Sequence, residues 1–192
     1  MSSLSGRLSI HLSIREVGYD HPDAQRLIAE VQAEYVQRYG GPDASPVDPL
    51  EFRPPQGLFL VGYVGSEPVA MGGWRRHDDE HPDGQPETSL APVVEVKRMY
   101  VTAGWRGRGY ARAMLAQLED TARQAGARWL LLETGSRQPE AVQLYQSCGY
   151  QPVPPFGHYA DRPLAIHLGK DLRTAASRPA ATDPPAAAAQ PR

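Results

Sequence analysis

The sequence predicts a mixed α/β fold in which helices cover both faces of a central sheet. Apolar residues recur at every second position over residues 8–14, which is typical of a half-buried strand. Residues 27–35 and 110–122 instead place apolar residues every three or four positions, as amphipathic helices do. Residues 127–134 form a continuous apolar run of the kind found in the middle of a sheet. Strands and helices that alternate in this way favour layers packed around one sheet.

Further strands, turns and a short helix complete this pattern. Leucine- and valine-rich residues 58–64 and residues 69–74 flank the turn at 65–68, which predicts a hairpin. The remaining segments are a proline-rich loop at 40–55, a polar loop at 75–92, a valine-rich strand at 93–101, a short helix beginning at Pro139 and ending near Gly149, and a last strand at 164–168.

The chain of 192 residues is long enough for one domain of ordinary size, which we expect over residues 7–170. Residues 1–6 are small and polar, and we expect them to be disordered. From residue 171 to the end there is no aromatic residue, and Leu172 is the only large aliphatic. Such a segment buries too little apolar surface to offset its ordering entropy. The sequence therefore predicts a disordered Ala/Pro-rich tail over 171–192.

Composition and charge exclude several classes of function. The formal net charge is −2, so the chain has no overall attraction for nucleic acid or for anionic membranes. Cys148 is the only cysteine, which excludes an internal disulfide and fits a reducing compartment. No apolar run approaches the ~20 residues that span a bilayer, and the first residues lack a signal-peptide pattern. We expect a cytoplasmic protein, and the scattered histidines predict no metal site.

The most specific feature is a basic, glycine-bearing loop between the 93–101 strand and the helix that follows. Gly107 and Gly109 let a ligand approach the main chain closely. Arg106 and Arg108 add cationic donors suited to phosphate oxygens. The N-terminus of the helix adds unpaired N–H groups and a partial positive charge. The loop therefore predicts a pyrophosphate cradle, and the alternative is a solvated surface turn.

Three segments then carry a resemblance to the GCN5-related N-acetyltransferase (GNAT) family. Residues 106–111 match the family's R-x-x-G-x-G/A signature, and residues 95–101 look like the strand before it. Residues 139–150 resemble the second conserved helix, which ends in a tyrosine and a Gly-aromatic pair. The segments occur in the family's order. The resemblance covers roughly residues 8–170.

This resemblance implies a GNAT-type acyl-CoA N-acyltransferase fold, with a mostly antiparallel sheet and acetyl-CoA as co-substrate. In the family the strand equivalent to 93–101 splays from 127–134, and the pantetheine arm pairs with the open edge. Many relatives carry asparagine where this chain has Gln138. Glutamine can still offer an amide to the cofactor arm, but its side chain has a different reach. By the motif match the cofactor-binding residues are Met99, Tyr100, Val101, Arg106, Gly107, Arg108, Gly109, Tyr110, Ala111 and Gln138.

Acetyl transfer needs a group that protonates the leaving thiolate and a base that takes a proton from the amine. Tyr145 matches the family's tyrosine facing the thiol, although it could instead only pack in the core. For the base we select Glu95, which lies on the strand leading to the cofactor edge. A structural ion pair of Glu95 with Lys97 or Arg98 is the alternative. Glu133 or a water relay could also serve.

Other segments give weaker hypotheses. Cys148 could act as a ping-pong nucleophile, but no histidine adjoins it and the family usually transfers directly. His158 and Tyr159 lie in a loop that either approaches the acceptor or only packs. The acidic loop 78–83 either steers a cationic amine or is simply solvated.

The leading prediction is an N-acetyltransferase that acts on a primary amine of a small molecule by direct transfer. The first alternative is a protein or peptide N-acetyltransferase. The second is a non-catalytic CoA-binding sensor module. The resemblance also favours a homodimer, and we expect neither nucleic acid nor membrane among the partners.

Overall fold

The computed structural model describes residues 11–77 and 92–173 of the chain. They form a seven-stranded sheet in the order β1-β2-β3-β4-β5-β7-β6 and three helices. The strands are β1 Leu12–Val17, β2 Gly57–Val64, β3 Glu67–Arg76, β4 Val93–Val101, β5 Trp129–Gly135, β6 Gln151–Pro152 and β7 Ala165–Asp171, and the helices are α1 Pro22–Tyr39, α2 Tyr110–Gln124 and α3 Pro139–Ser147.

The sheet is mixed and mostly antiparallel. β4 and β5 form its parallel pair, because α2 carries the chain back across the sheet between them. The other neighbours pair antiparallel. Helices α2 and α3 pack on one face and α1 packs on the other. The architecture predicted from the sequence is therefore confirmed.

Two apolar cores hold the helices to the sheet. On the α2 face, Met114 and Leu118 are fully buried against Leu130 and Leu132 of β5 and neighbouring strands. On the α1 face, buried helical residues meet the alternate side chains of β2 and β3; these residues are Leu27, Val31, Phe59, Val61 and Met71. Every position of β2 except its last is buried, as expected for a strand covered on both faces.

Local sequence signals explain where α1 begins and ends. The His21 side chain accepts a hydrogen bond from the Asp23 N–H, and Pro22 occupies the first turn, where its missing N–H costs nothing. Gly40 ends the helix with φ of 84°, and its N–H donates to the Val36 carbonyl. This left-handed C-cap is one that glycine adopts without steric cost. The cap therefore fixes the residue at which α1 ends.

Some boundaries differ from the sequence prediction. β4 has the predicted bounds, whereas the first strand is Leu12–Val17 rather than 8–14, and residues 8–10 lie outside the described part of the chain. The predicted loop 40–55 contains a 3-10 turn at Pro49–Phe52, which buries Phe52. The sequence did not indicate the two-residue β6, which is too short for a periodic pattern.

The predicted start of the tail at residue 171 is wrong. β7 continues to Asp171, and Leu172 is 2% exposed in the α2-face core. Its N–H also donates to the Arg128 carbonyl. Residues 1–10, 78–91 and 174–192 are outside the described residues, and with them the two predicted disordered ends and the acidic loop at 78–83. Among the described helices, none is both long and apolar enough to cross a membrane.

Candidate active site

A split between β4 and β5 opens the sheet at its centre. The two strands pair only over Val93–Val96 and Trp129–Leu132, so the rest of β4 leaves its main chain unpaired on the β5 side. A cleft of about 710 Å³ follows this opening. Both the β4 edge from Val96 to Val101 and the β5 residues from Leu132 to Gly135 line it. The splayed strands that the family resemblance implied are therefore present.

A β-bulge on β4 decides which side chains face each half of the cleft. Met71 pairs with Tyr100 and Gly73 pairs with Lys97, so one residue of β3 lies opposite two residues of β4. One of these two is Arg98, whose φ of 58° is unusual for a non-glycine residue and costs on the order of 1–3 kcal/mol. After Arg98, Met99 and Val101 pack on the α2 face, whereas Tyr100 packs on the α1 face.

The glycine-bearing loop after β4 forms an open cradle at the N-terminus of α2. Gly107 and Gly109 have φ of 73° and 82°, and a Cβ at either position would meet nothing within 4 Å. No side chain caps α2, so the N–H groups of its first turn have no helical partner. Tyr110 and Ala111 line the cleft together with both glycines. These residues can hold an anion against the main chain.

The two predicted arginines of this loop differ in position. Arg106 lines the cleft, but its Nε donates to the Val101 carbonyl at 2.9 Å and its Nη2 donates to Glu34. Arg108 stacks over the Trp105 ring at 4.9 Å and is not among the cleft-lining residues. Sequence reasoning missed Arg112, which lines the cleft from the first turn of α2. Arg112, rather than Arg108, therefore lies beside the main chain of the cradle in the cleft lining.

Ion pairs join the cradle to α1 and α3 across this end of the cleft. Glu34 of α1 contacts Arg106 at 2.5 Å and Arg38 at 2.8 Å. Arg38 then contacts Glu140, in the first turn of α3, at 2.6 Å. The chain of alternating charges fixes the end of α1 over the opening, and Arg106 must exchange Glu34 for phosphate oxygens if it is to bind them.

Tyr145 lies where the α2 face of the cleft meets the β4 edge. Its hydroxyl is 3.9 Å from the Met99 sulfur, and the side chain is 6% exposed. Burial raises the pKa of Tyr145 well above its usual range of about 10. The phenol therefore keeps its proton at neutral pH and can donate it. Packing and a role as proton donor are both compatible with this position.

The two candidate carboxylates have different environments. Glu95 is 2% exposed and does not line the cleft; its carboxylate contacts Arg75 at 3.2 Å and Lys97 at 2.5 Å. This arrangement is the structural ion pair, with Lys97 as predicted and Arg75 as an additional partner. Glu133 lines the cleft, and burial raises its pKa to about 7, an effect that Lys97 opposes and Glu95 reinforces. Of the two, Glu133 has the geometry of a base.

The predicted amide contact is already occupied within the protein. Gln138 lines the cleft at the start of α3, and its Nε2 donates to the Tyr39 hydroxyl at 3.1 Å. Tyr39 itself lies so close to Gly135 that a Cβ there would be 2.0 Å from the hydroxyl oxygen. This close approach requires glycine at the end of β5 and brings α1 onto the mouth of the cleft.

The remaining residues that the sequence singled out differ in whether they line the cleft. Cys148 is half-buried and its sulfur accepts a hydrogen bond from Arg112 at 3.0 Å; it is not a cleft-lining residue. Tyr159 lines the cleft and donates to Asp43 at 2.7 Å, whereas His158 packs edge-on against Tyr159 outside the lining. Asp43 in turn contacts Arg98. No sequence pattern predicts the contact between Asp43 and Arg98, because the two residues are distant along the chain.

This fold and its open strand edge are those of the acyl-CoA N-acyltransferases. The chain resembles a candidate acyl-CoA N-acyltransferase from Klebsiella pneumoniae, with a TM-score of 0.65 and 27% identity, over 85% of this chain and 99% of that one. A model of the acetyltransferase (GNAT) family matches residues 24–150. The chain belongs to this family, whose members use acetyl-CoA.

Two curated relatives match shorter parts of the chain. An IAA acetyltransferase from Azospirillum brasilense is 44% identical over 78 residues, which are 41% of this chain and 51% of that protein. An aminoglycoside N(6')-acetyltransferase type 1 from Stenotrophomonas maltophilia is 32% identical over 95 residues, which are 49% of this chain and 59% of that protein. The matches thus span only a little over half the length of these relatives.

Proposed function

We propose that this protein transfers an acetyl group from acetyl-CoA to a primary amine of a small molecule. The observation that carries the proposal is the split between β4 and β5, which leads along an unpaired strand edge to an uncapped helix N-terminus. A strand edge can pair with the amide-bearing pantetheine arm, and the helix N-terminus can hold the pyrophosphate. Both parts lie in one continuous cleft.

The main chain of this cleft fits the donor. Met99, Tyr100 and Val101 offer their unpaired N–H and C=O groups to the pantetheine amides. The positive φ values and open space at Gly107 and Gly109 let a diphosphate reach the N–H groups that follow. Further donor contacts come from Arg106, Arg112, Tyr110, Ala111 and Gln138, of which Arg106 and Gln138 first have to release Glu34 and Tyr39. Arg108 would contribute only after leaving the Trp105 ring.

Two side chains of the cleft move protons during the transfer. Glu133 takes a proton from the acceptor ammonium, directly or through water, so that the nitrogen lone pair can form the new bond to the acetyl carbonyl carbon. The C–S bond then breaks, and Tyr145 gives its proton to the departing sulfur of CoA. The nitrogen, which carries a second excess proton once the C–N bond has formed, loses it to water. Of the two protons removed from the nitrogen, one returns through solvent to Tyr145 and the other is released, which leaves Glu133 ionised and Tyr145 neutral. Glu133 replaces Glu95 in this scheme, because both cations beside Glu95 hold it outside the cleft.

Direct transfer is the simpler scheme for this site. A ping-pong route would require Cys148 to attack the thioester from the cleft, but Cys148 lies outside the lining and contacts Arg112. Single-step transfer also needs no base beside the thiol. A small acceptor is supported by the names of the two curated relatives, which specify IAA and aminoglycosides. A homodimer and a cytoplasmic location stay predictions.

A thiol-release assay with acetyl-CoA and separate panels of small amines and peptides tests the proposal. Release of CoA with free amines, together with a mass increase of 42 Da on the amine, is the expected result. Turnover with peptides alone would contradict the small-molecule assignment. Calorimetric titration with acetyl-CoA provides the second measurement, and binding without turnover on any amine would indicate a sensor instead of an enzyme.

A further inference from the structure

The part of the cleft on the α1 face of the sheet is separate from the donor part. Leu130 and Leu132 of β5 pack in the α2-face core, so the alternating Glu133 lies on the opposite face. Arg98, through its contact with Asp43 in the loop after α1, lies on the same face. We call this part the acceptor half; it is lined by Asp43, Lys97, Arg98, Glu133, Tyr159 and Arg162.

Some charged side chains of the acceptor half form ion pairs, and others do not. Lys97 is neutralised by Glu95, and Arg98 is neutralised by Asp43. Asp43 is also held by hydrogen bonds that it accepts from the Tyr159 hydroxyl and the Ser45 N–H, so most of its acceptor sites are already occupied. Glu133 is therefore the carboxylate of the acceptor half that can attract a cationic ligand. It forms no ion pair among the described residues.

Cationic donors remain available on the same surface. Arg162 lies in the turn before β7 and lines the cleft. It is exposed, and no carboxylate contacts it within the described part of the chain. Arg98 is 8% exposed, and its Nε is buried without a hydrogen-bond partner. A buried donor without a partner carries a desolvation cost that a ligand oxygen or a water could remove.

We propose that the acceptor of the acetyl group is an amino acid or a similar amine that also carries a carboxylate, an inference that rests on the proposed function. Arg162 binds the carboxylate at the rim, with Arg98 in the wall beside it, while the amine lies next to Glu133. A guanidinium offers two parallel donors to a carboxylate, which fixes the orientation of the ligand as well as its affinity.

A polycationic acceptor fits this half of the cleft poorly. Each further ammonium group would need a carboxylate of its own, and Asp43 and Glu95 are already paired with Arg98 and Lys97. It would also approach the unpaired cation of Arg162. A ligand with one ammonium and one carboxylate instead complements one free acidic and one free basic side chain.

The test compares each of the common L-amino acids with its carboxamide, a nearly isosteric ligand without the negative charge. Binding of both is measured by calorimetry on the protein saturated with CoA, for wild type, Arg162→Gln and the control Arg53→Gln. Arg53 is exposed, its side chain contacts Asp20 at 3.4 Å, and it is not among the cleft-lining residues. All three proteins are checked for the same CoA affinity.

We expect at least one amino acid to bind about ten-fold more tightly than its carboxamide, as the loss of one charged hydrogen bond implies. Arg162→Gln should reduce this ratio to within about two-fold, and Arg53→Gln should keep it. Equal binding of acid and amide, a ratio that survives Arg162→Gln, or no binding by any acid would overturn the proposal.

Thiol release is scored separately on the same panel, so that the two proposals fail differently. Turnover of carboxamides or of simple amines in preference to the acids would reject the carboxylate site and keep the transferase. Selective binding of the acids without CoA release on any of them would keep the carboxylate site and reject the transferase.

Discussion

At the scale of single residues, the hydroxyl of Tyr145 lies 3.9 Å from the sulfur of Met99, a residue of the open β4 edge. Its pKa is raised by burial, so the ionised form is disfavoured and the hydroxyl keeps its proton at neutral pH. Burial also destabilises a thiolate that forms beside the hydroxyl, which favours transfer of the proton to sulfur as the C–S bond breaks. We therefore expect Tyr145 to act as the proton donor.

Tyr145→Phe is expected to lower kcat about ten-fold or more, because removal of one proton donor typically costs at least this much. Acetyl-CoA affinity should change little, since the hydroxyl contacts only the Met99 sulfur at 3.9 Å among the described residues. Steady-state kinetics and calorimetry measure the two quantities. The control is Tyr150→Phe, which removes a buried hydroxyl that does not line the cleft; an unchanged kcat in Tyr145→Phe would leave Tyr145 a packing residue.

Glu133 should set the acidic limb of the pH–rate profile. Its pKa is raised to about 7 and only its ionised form accepts a proton, so kcat/KM should rise with pH and level off above about 7. Glu133→Gln should abolish this limb and lower kcat/KM. In Glu95→Gln the limb should persist but move to lower pH, because burial still raises the pKa of Glu133 while the added effect of the Glu95 charge is gone. A profile without the limb in Glu95→Gln alone would restore Glu95 as the base.

At the scale of elements, the sequence predicted β4 well because its valine-rich run is bounded by polar loops, and the observed strand has the same limits. It could not predict the bulge at Arg98, since that depends on how β4 aligns with β3. The alternation of β4 placed Glu95 opposite Val94 and Val96, but the second cation, Arg75, comes from β3 by strand pairing. Period and composition are local, whereas register and ion-pair partners are set by tertiary contacts.

The N-terminus of α2 gives a prediction with a closely matched control. Gly109 and Gly126 both have φ of 82° and open space around the missing Cβ, but Gly109 begins α2 in the cleft and Gly126 follows the end of α2. Alanine at either position should destabilise the fold by about 1–2 kcal/mol, because a Cβ is strained in the left-handed region. Only Gly109→Ala should also weaken acetyl-CoA binding, by roughly ten-fold.

Calorimetry with acetyl-CoA and urea unfolding of both variants check this prediction. Equal affinities in Gly109→Ala and Gly126→Ala would show that the α2 N-terminus does not hold the donor. Similar losses of unfolding free energy in the two variants would show that the strain is matched, so that any difference in affinity reflects the ligand.

At the scale of the whole molecule, the folded domain includes Leu172, a residue that composition placed in a disordered tail. Residues from 171 onward are rich in alanine and proline, and this average concealed the contribution of Leu172. The side chain packs in the α2-face core, and the main chain pairs with Arg128 just before β5. The folded domain therefore extends at least to Leu172, because β7 pairs with β5 along its whole length.

Leu172→Ala should lower the free energy of unfolding by about 2–5 kcal/mol, the usual range for a buried leucine whose removal leaves a cavity. The control is Leu50→Ala, because Leu50 is 60% exposed and its truncation should change stability by no more than about 0.5 kcal/mol. Urea unfolding followed by tryptophan fluorescence measures both, since Trp129 begins the strand that pairs with the end of β7. A Leu172→Ala midpoint equal to that of Leu50→Ala would place the end of the stabilising core before residue 172, and would return the domain boundary to where composition first put it.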